Sequence, residues 1–191
     1  MRENHDVLTA ALETGLSGPS RLHDLTLACD AVTPGEVRAL GAGLHIHYGF
    51  GATPFGRAIV GTTYRGICAL HFTDSDDEAL AALKLDWPQA TLVRKDQEIA
   101  ETLARLFAVG NPQAPVHLLL RGTNFQVKVW EALLRIPPGT ALSYRKLAGI
   151  VGNARAQRTV GTALAHNRIA FLIPCHRAGP EHEKSFTIIG L

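Results

Sequence analysis

The chain has 191 residues and a formal net charge of +2, a length that suits one large domain or two small ones. Its hydrophobic share of 46% is that of a globular protein, it holds no apolar run of the roughly 18 residues a membrane helix needs, and its polar start reads as a chain without a signal peptide. Three cysteines, Cys29, Cys68 and Cys175, are too few and too scattered for a disulfide framework or a paired-cysteine zinc motif, which suits a reducing cytoplasm and predicts no metal.

Residues 1–40 read as helices. Val7 to Glu13 is rich in Ala and Leu and ends at Gly15. Arg21 to Leu27 restarts a helix, and Thr33-Pro34-Gly35-Glu36 supplies a capping residue, Pro at the first helical position and Glu at the third. Gly41-Ala42-Gly43 marks a boundary. Strands are predicted over Leu44 to Phe50, Arg57 to Thr63 and Gly66 to Phe72. Ser75-Asp76-Asp77-Glu78 is a capping box for a helix over Ala79 to Leu85. A strand over Thr91 to Arg94, an amphipathic helix over Gln97 to Val109, a linker from Asn111 to Pro115 and a strand over Val116 to Leu120 complete this unit. It carries no reactive constellation and reads as a scaffold. His45 and His47 share one strand face, but no third ligand for a metal is evident.

The next stretch differs in charge. Between Arg121 and Arg177 nine Lys/Arg face a single Glu131. Such an excess is the footprint of a polyanion. Thr123 caps a helix over Phe125 to Leu134, and Ser143 caps one over Tyr144 to Ile150. The turn Val151-Gly152-Asn153 leads to a third helix over Ala156 to His166. The last two form a helix-turn-helix candidate inside the basic region. Ala156, Gly161, Ala163 and Ala165 keep the third helix slim, so it can approach either a neighbouring helix or a DNA groove closely, with Arg158 projecting from it.

Behind the apolar run Ile169-Ala170-Phe171-Leu172, which predicts a short strand or a buried segment, stands Ile173-Pro174-Cys175-His176-Arg177. Proline stiffens the turn that presents the thiol. A thiol attacks as its thiolate, so something must take its proton. On an extended segment adjacent side chains point apart, so His176 would act through a water. Arg177 could stabilise negative charge or hold the turn.

Two resemblances follow from these residues. Gly15-Leu16-Ser17, Ser20-Arg21-Leu22 and Thr33-Pro34-Gly35-Glu36 resemble the end of an AraC-type DNA-binding domain. Pro174-Cys175-His176-Arg177, Ser143-Tyr144, Arg158, Asn167, the run from Ile136 to Tyr144, Phe125, Val129, Trp130, Thr53-Pro54-Phe55-Gly56 and Arg65-Gly66-Ile67-Cys68 resemble the methylated-DNA–protein-cysteine methyltransferases, in an Ada-type arrangement. The resemblance implies an α+β fold. It would comprise a partial helical segment (1–40), a small α/β, ribonuclease H-like domain (43–118) and a winged-helix-like helix-turn-helix DNA-binding domain (119–191). It implies a monomer that acts on double-stranded DNA with alkylated guanine, with no cofactor and no membrane.

In that family Cys175 would irreversibly accept an alkyl group from O6 of guanine, or from O4 of thymine, with His176 as base through water. Asn167 would be the hinge, Arg158 would replace the flipped base in the duplex and Tyr144 would press on a phosphate. Ser143, Arg155, Gly161, Ala165 and Arg177 would complete the DNA face. After Arg177 the Gly/Ser/Tyr pocket loop, the following helix and the glutamate that orients the histidine are not recognisable, so impaired transfer is expected. A transfer-deficient lesion-binding protein and an Ada-type regulator fragment are the alternatives.

Overall fold

Three runs rich in β-branched and aromatic residues make the antiparallel centre of the molecule, a computed structural model that describes residues 27–33, 35, 39–108, 115–137 and 139–180. A short strand, β1 (Leu27–Ala31), precedes them in the chain. The three are β2 (His45–Thr53), β3 (Gly56–Thr63) and β4 (Gly66–Phe72), with β3 paired antiparallel to both of the others. The two hairpins share one chemistry. Thr53 Oγ donates to the Gly56 carbonyl at 2.7 Å and accepts from Phe55 N at 3.0 Å; Thr63 does the same with Gly66 and Arg65 at 3.1 Å each. Gly66 has φ +133° and lies so close to the His117 backbone that a side chain would collide with it.

The sheet widens on both sides. β5 (Thr91–Arg94) adds parallel to β2, β6 (Val116–Leu120) parallel to β4, and β1 parallel to β6, giving the order β1-β6-β4-β3-β2-β5. Alternation along the strands divides the core. Ile59 and Leu119 point to one face, where they pack with Leu83 of α1 (Asp76–Asp86) and with Trp87. Val60, Leu118 and Leu120 point to the other, against Ile99 and Leu103 of α2 (Asp96–Leu106) and the helices that follow.

β1 corrects the helical reading of residues 1–40 over Leu27–Ala31, while Gly35, where a helix is expected, is helical. Leu27-Ala28-Cys29-Asp30-Ala31 lacks strong β-formers, but β6 offers it an open sheet edge, and pairing overrides local propensity. Arg65 reinforces the join, with Nε on Asp30 Oδ2 and NH2 on the Ala31 carbonyl at 3.1 Å. The earlier part of the AraC-like segment lies outside the described residues.

The basic region is helical, as its capping residues predict. α3 (Asn124–Leu134) opens on a complete capping box between Thr123 and Gln126. Ser143 Oγ accepts from Lys146 N at 3.2 Å to start α4 (Tyr144–Ile150). Gly152, at φ +91°, turns the chain, and Asn153 N donates to the Ala148 carbonyl at 2.9 Å before α5 (Gln157–Ala165) begins. Trp130 of α3 is buried and donates its indole N–H to the Ala163 carbonyl at 3.0 Å, which fixes α5 against α3. No helix among the described residues is long and apolar enough to cross a membrane.

Candidate active site

The segment from Asn167 to Cys175 leaves the end of α5 and is stitched to the scaffold at once. Leu70 N donates to the Arg168 carbonyl at 2.9 Å and Ala170 N donates to the Leu70 carbonyl at 2.8 Å, a single parallel bridge centred on Ile169. The run that predicted a strand or a buried segment is the latter: Ile169, Leu172 and Ile173 are buried, and the chain between them turns. Phe171 sits at φ +67°, a left-handed conformation that is strained for a bulky side chain. Its ring is held by Phe107 at 4.8 Å and Phe55 at 5.3 Å between centroids, so aromatic packing offsets that strain.

Cys175, His176 and Arg177 form a single 3-10 turn (Cys175–Arg177), where an extended segment was expected. With three residues per turn the successive side chains still diverge, by about 120°. The turn is closed by a short parallel pair, in which β8 (Ala178–Gly179) lies beside β7 (Leu142–Ser143). That pairing sets the end of the turn beside the start of α4, where Ser143 and Tyr144 stand.

Asn167 organises the site. Its Oδ1 accepts from Ile169 N at 2.9 Å, and its Nδ2 lies 3.2 Å from the Ile169 carbonyl and 3.3 Å from Cys175 Sγ. The thiol itself points toward the Leu164 carbonyl of α5 at 3.9 Å. Burial pushes the Cys175 thiol up to about 11, while the Asn167 amide pulls the other way by stabilising the anion. The free protein therefore holds a protonated thiol at neutral pH, already facing a donor suited to its thiolate.

His176 is exposed beside it. Arg177 is not on the outer face. It is 3% exposed, and its NH1 donates to the Ile136 carbonyl at 2.8 Å. Of the two roles the sequence leaves open to it, its burial and this bond fit holding the turn.

The other residues expected on DNA lie on or beside the two helices. Arg155, Arg158 and Ala165 are exposed. Tyr144 is half-buried, packed at Gly161, where an added Cβ would lie 3.5 Å from the Tyr144 ring. Arg145 and Lys146 are exposed on α4, and this two-helix face carries no carboxylate. Ser143 is occupied as a helix cap, with its hydroxyl hydrogen left for another acceptor. His45 and His47 lie on β2, where His47 Nδ1 is 3.0 Å from Glu98 Oε2; among the described residues no three ligand-type side chains gather as for a metal ion.

Sequence reasoning missed the supports of this turn: the carbonyls of Leu164 and Ile136, the strained Phe171, and an ion pair between Arg168 and Asp86 at 3.2 Å. Each joins distant parts of the chain, and none has a local signature.

A model of the family described as 6-O-methylguanine DNA methyltransferase, DNA binding domain, matches residues 124–183. The chain is 33% identical over 181 residues to the bifunctional transcriptional activator/DNA repair enzyme Ada of Escherichia coli, covering 93% of this chain and 51% of that protein. It is 34% identical over 137 residues to the constitutive methylated-DNA–protein-cysteine methyltransferase of Bacillus subtilis, covering 69% of this chain and 79% of that one. Among solved structures, the O6-methylguanine methyltransferase of Mycobacterium tuberculosis is similar with a TM-score of 0.55 at 30% identity, covering 76% of this chain and 85% of that one. The same organism's OGT in complex with DNA is similar with a TM-score of 0.54 at 30% identity, over 71% and 79%. The chain spans about half the length of other curated relatives: 51% of Ada and 47% of the Mycobacterium bovis methyltransferase.

Proposed function

The chain belongs to the family of methylated-DNA–protein-cysteine methyltransferases, and on that premise we propose that it repairs DNA by moving a methyl or other alkyl group from O6 of guanine to Cys175. The observation that carries this reading is the Asn167 amide directed at the Cys175 sulfur, at the foot of a helix pair whose exposed charge is all positive. The partner is double-stranded DNA carrying alkylated guanine, and the protein acts as a monomer in the cytoplasm, where a reducing setting keeps the thiol free.

Beyond a water, the chemistry draws only on the chain and the DNA. O6 of guanine is enclosed in the base stack, so the damaged nucleotide must leave the duplex to be reached. Arg158 would fill the space it vacates and Tyr144 would press on the adjoining phosphate. A wedge of this kind offsets the few kcal/mol of unstacking. His176, through a water, takes the thiol proton. The sulfur then attacks the alkyl carbon; an S–C bond forms, the C–O6 bond breaks, and its electron pair leaves with the guanine, which is reprotonated. Asn167 holds the thiolate as it forms. The thioether has no route back, so each chain acts once. Gly161 and Ala165 let α5 lie close to the DNA, while Arg155 and Ser143 engage the backbone.

The finer architecture belongs to the same proposal: a ribonuclease H-like scaffold over 43–118 and a winged-helix-like unit over 119–191, with 1–40 as an AraC-like remnant. The test is the intact mass of the protein before and after exposure to a duplex holding a single O6-methylguanine, with Cys175→Ser alongside. A gain of one methyl group on Cys175, absent in the variant, is expected. A methyl group still on the DNA at equimolar protein overturns the proposal.

A further inference from the structure

Asp86 ends α1 at a place where a carboxylate is costly. Its side chain is 10% exposed, and burying a charge costs several kcal/mol unless it is well paired. Only part of that pairing exists. Oδ1 meets Arg168 Nε at 3.2 Å, but Oδ2 is buried without a hydrogen-bond partner among the described residues. The backbone carbonyl of Asp86 takes NH1 of Arg121, whose guanidinium lies over the Trp87 ring at 5.2 Å. An apolar pair in place of Asp86 and Arg168 together would often stabilise a fold about as well. The carboxylate therefore calls for an explanation other than stability.

Its partner supplies one. Arg168 directly follows Asn167, and its backbone carbonyl is already held by Leu70 N. With the side chain tied to Asp86 as well, Arg168 is fixed to the scaffold at two points, one residue from the amide that meets Cys175. Packing on that flank is incomplete. A cavity of about 500 Å³ lies there, lined by Asp86, Arg121, His166, Asn167, Arg168 and Ile173 among others. Asn167 borders this open space rather than a filled core on that side, and the ion pair stands on the same cavity wall.

We infer that Asp86 is a positioning residue for the reactive thiol, acting through Arg168 to keep the Asn167 amide aimed at Cys175. Asp86 touches neither the thiol nor the DNA face; its effect passes through one ion pair and one peptide unit. The kinetic part of this inference rests on the proposed transfer reaction, whereas the structural part does not.

The experiment uses the full chain with Asp86→Asn, Arg168→Ala and the conservative Arg168→Lys. Peptide-level hydrogen exchange is followed together with single-turnover transfer from an O6-methylguanine duplex over a range of DNA concentrations. Asp86→Asn and Arg168→Ala are expected to raise exchange within residues 167–175 and to lower the maximal transfer rate about tenfold, or about 1.4 kcal/mol. The DNA concentration for half-maximal rate stays within about twofold, and Arg168→Lys recovers most of the loss. Arg168 is 42% exposed in its side chain, so its variants test the idea even if Asp86→Asn fails to fold.

Unchanged exchange in 167–175 overturns the inference, as does a rise spread evenly over the chain, which would mark a purely structural role. A maximal rate equal to the wild type's also overturns it, and so does a half-maximal DNA concentration that moves with the rate. A wild type that transfers nothing sinks the proposed function instead, and the exchange pattern then decides this inference alone.

Discussion

The Asn167 amide meets the Cys175 sulfur at 3.3 Å while the same side chain receives Ile169 N at 2.9 Å. One residue thus ends the slim helix α5, shapes the turn behind it and contacts the atom that would react. Removing it separates these effects. Asn167→Ala deletes a donor to a developing anion, worth about 1.5–3 kcal/mol, so the maximal transfer rate should fall about 10- to 100-fold. Asn167→Asp should be slower still, because a carboxylate there repels the thiolate and raises the thiol further. Rapid-quench measurement of methyl transfer checks both. A rate for Asn167→Asp equal to that of the native chain would refute the electrostatic role.

Gly161 distinguishes packing from function on the same helix. An added Cβ would meet Tyr144 at 3.5 Å, an ordinary contact. Gly161→Ala should therefore fold and raise the melting temperature, since Gly in a helix interior costs about 1 kcal/mol relative to Ala. If α5 lies against DNA at that point, the same methyl group weakens lesion binding. Melting curves and fluorescence titration with a lesion duplex read the two effects independently. Arg158→Ala, at an exposed position, should leave melting unchanged while slowing transfer.

Most of this fold is legible in the sequence because its boundaries are chemically explicit. Ser75, Thr123 and Ser143 each cap the helix expected of them, and the three central strands form where their apolar and β-branched runs predict them. β1 is not legible, since Leu27–Ala31 becomes a strand only by meeting the edge of β6. At the site, Cys175 and Asn167 are named by their motif and do meet. Asp86 and Arg168 are far apart in the chain, and no pattern of charge predicts that pair; it exists because α1 and the turn after α5 converge in space.

Arg177 tests the interior role the structure gives it. Its NH1 serves the Ile136 carbonyl in a buried setting, and burial alone holds the guanidinium below its ordinary range. Arg177→Ala should cost about 1–3 kcal/mol of stability by leaving that carbonyl unpaired. The salt dependence of DNA binding should be unchanged, because no phosphate contact is lost. Denaturant unfolding and titrations at two salt concentrations measure the two quantities. A shallower salt slope in the variant would restore Arg177 to the DNA face.

The thiols predict how the fold responds to alkali. Burial pushes Cys175 up to about 11 and Cys68 up to about 12, from an ordinary value of 9.0. Raised values mean that the folded chain keeps thiol protons that the unfolded chain gives up. Below about pH 9 both states are protonated and these groups leave stability untouched. Above it the unfolded state gains by ionising, so stability falls as pH rises toward 11 to 12. Replacing Cys68 by Ala removes the deeper of the two. It should lower stability at neutral pH through the lost packing with Ile46 and Ala69. Between about pH 9 and 12, however, its unfolding free energy should decline less steeply than that of the native chain, by a slope of about one proton. Urea unfolding across that range, compared between the two proteins, gives the difference directly, and parallel declines would mean that the Cys68 thiol is not held protonated by the fold.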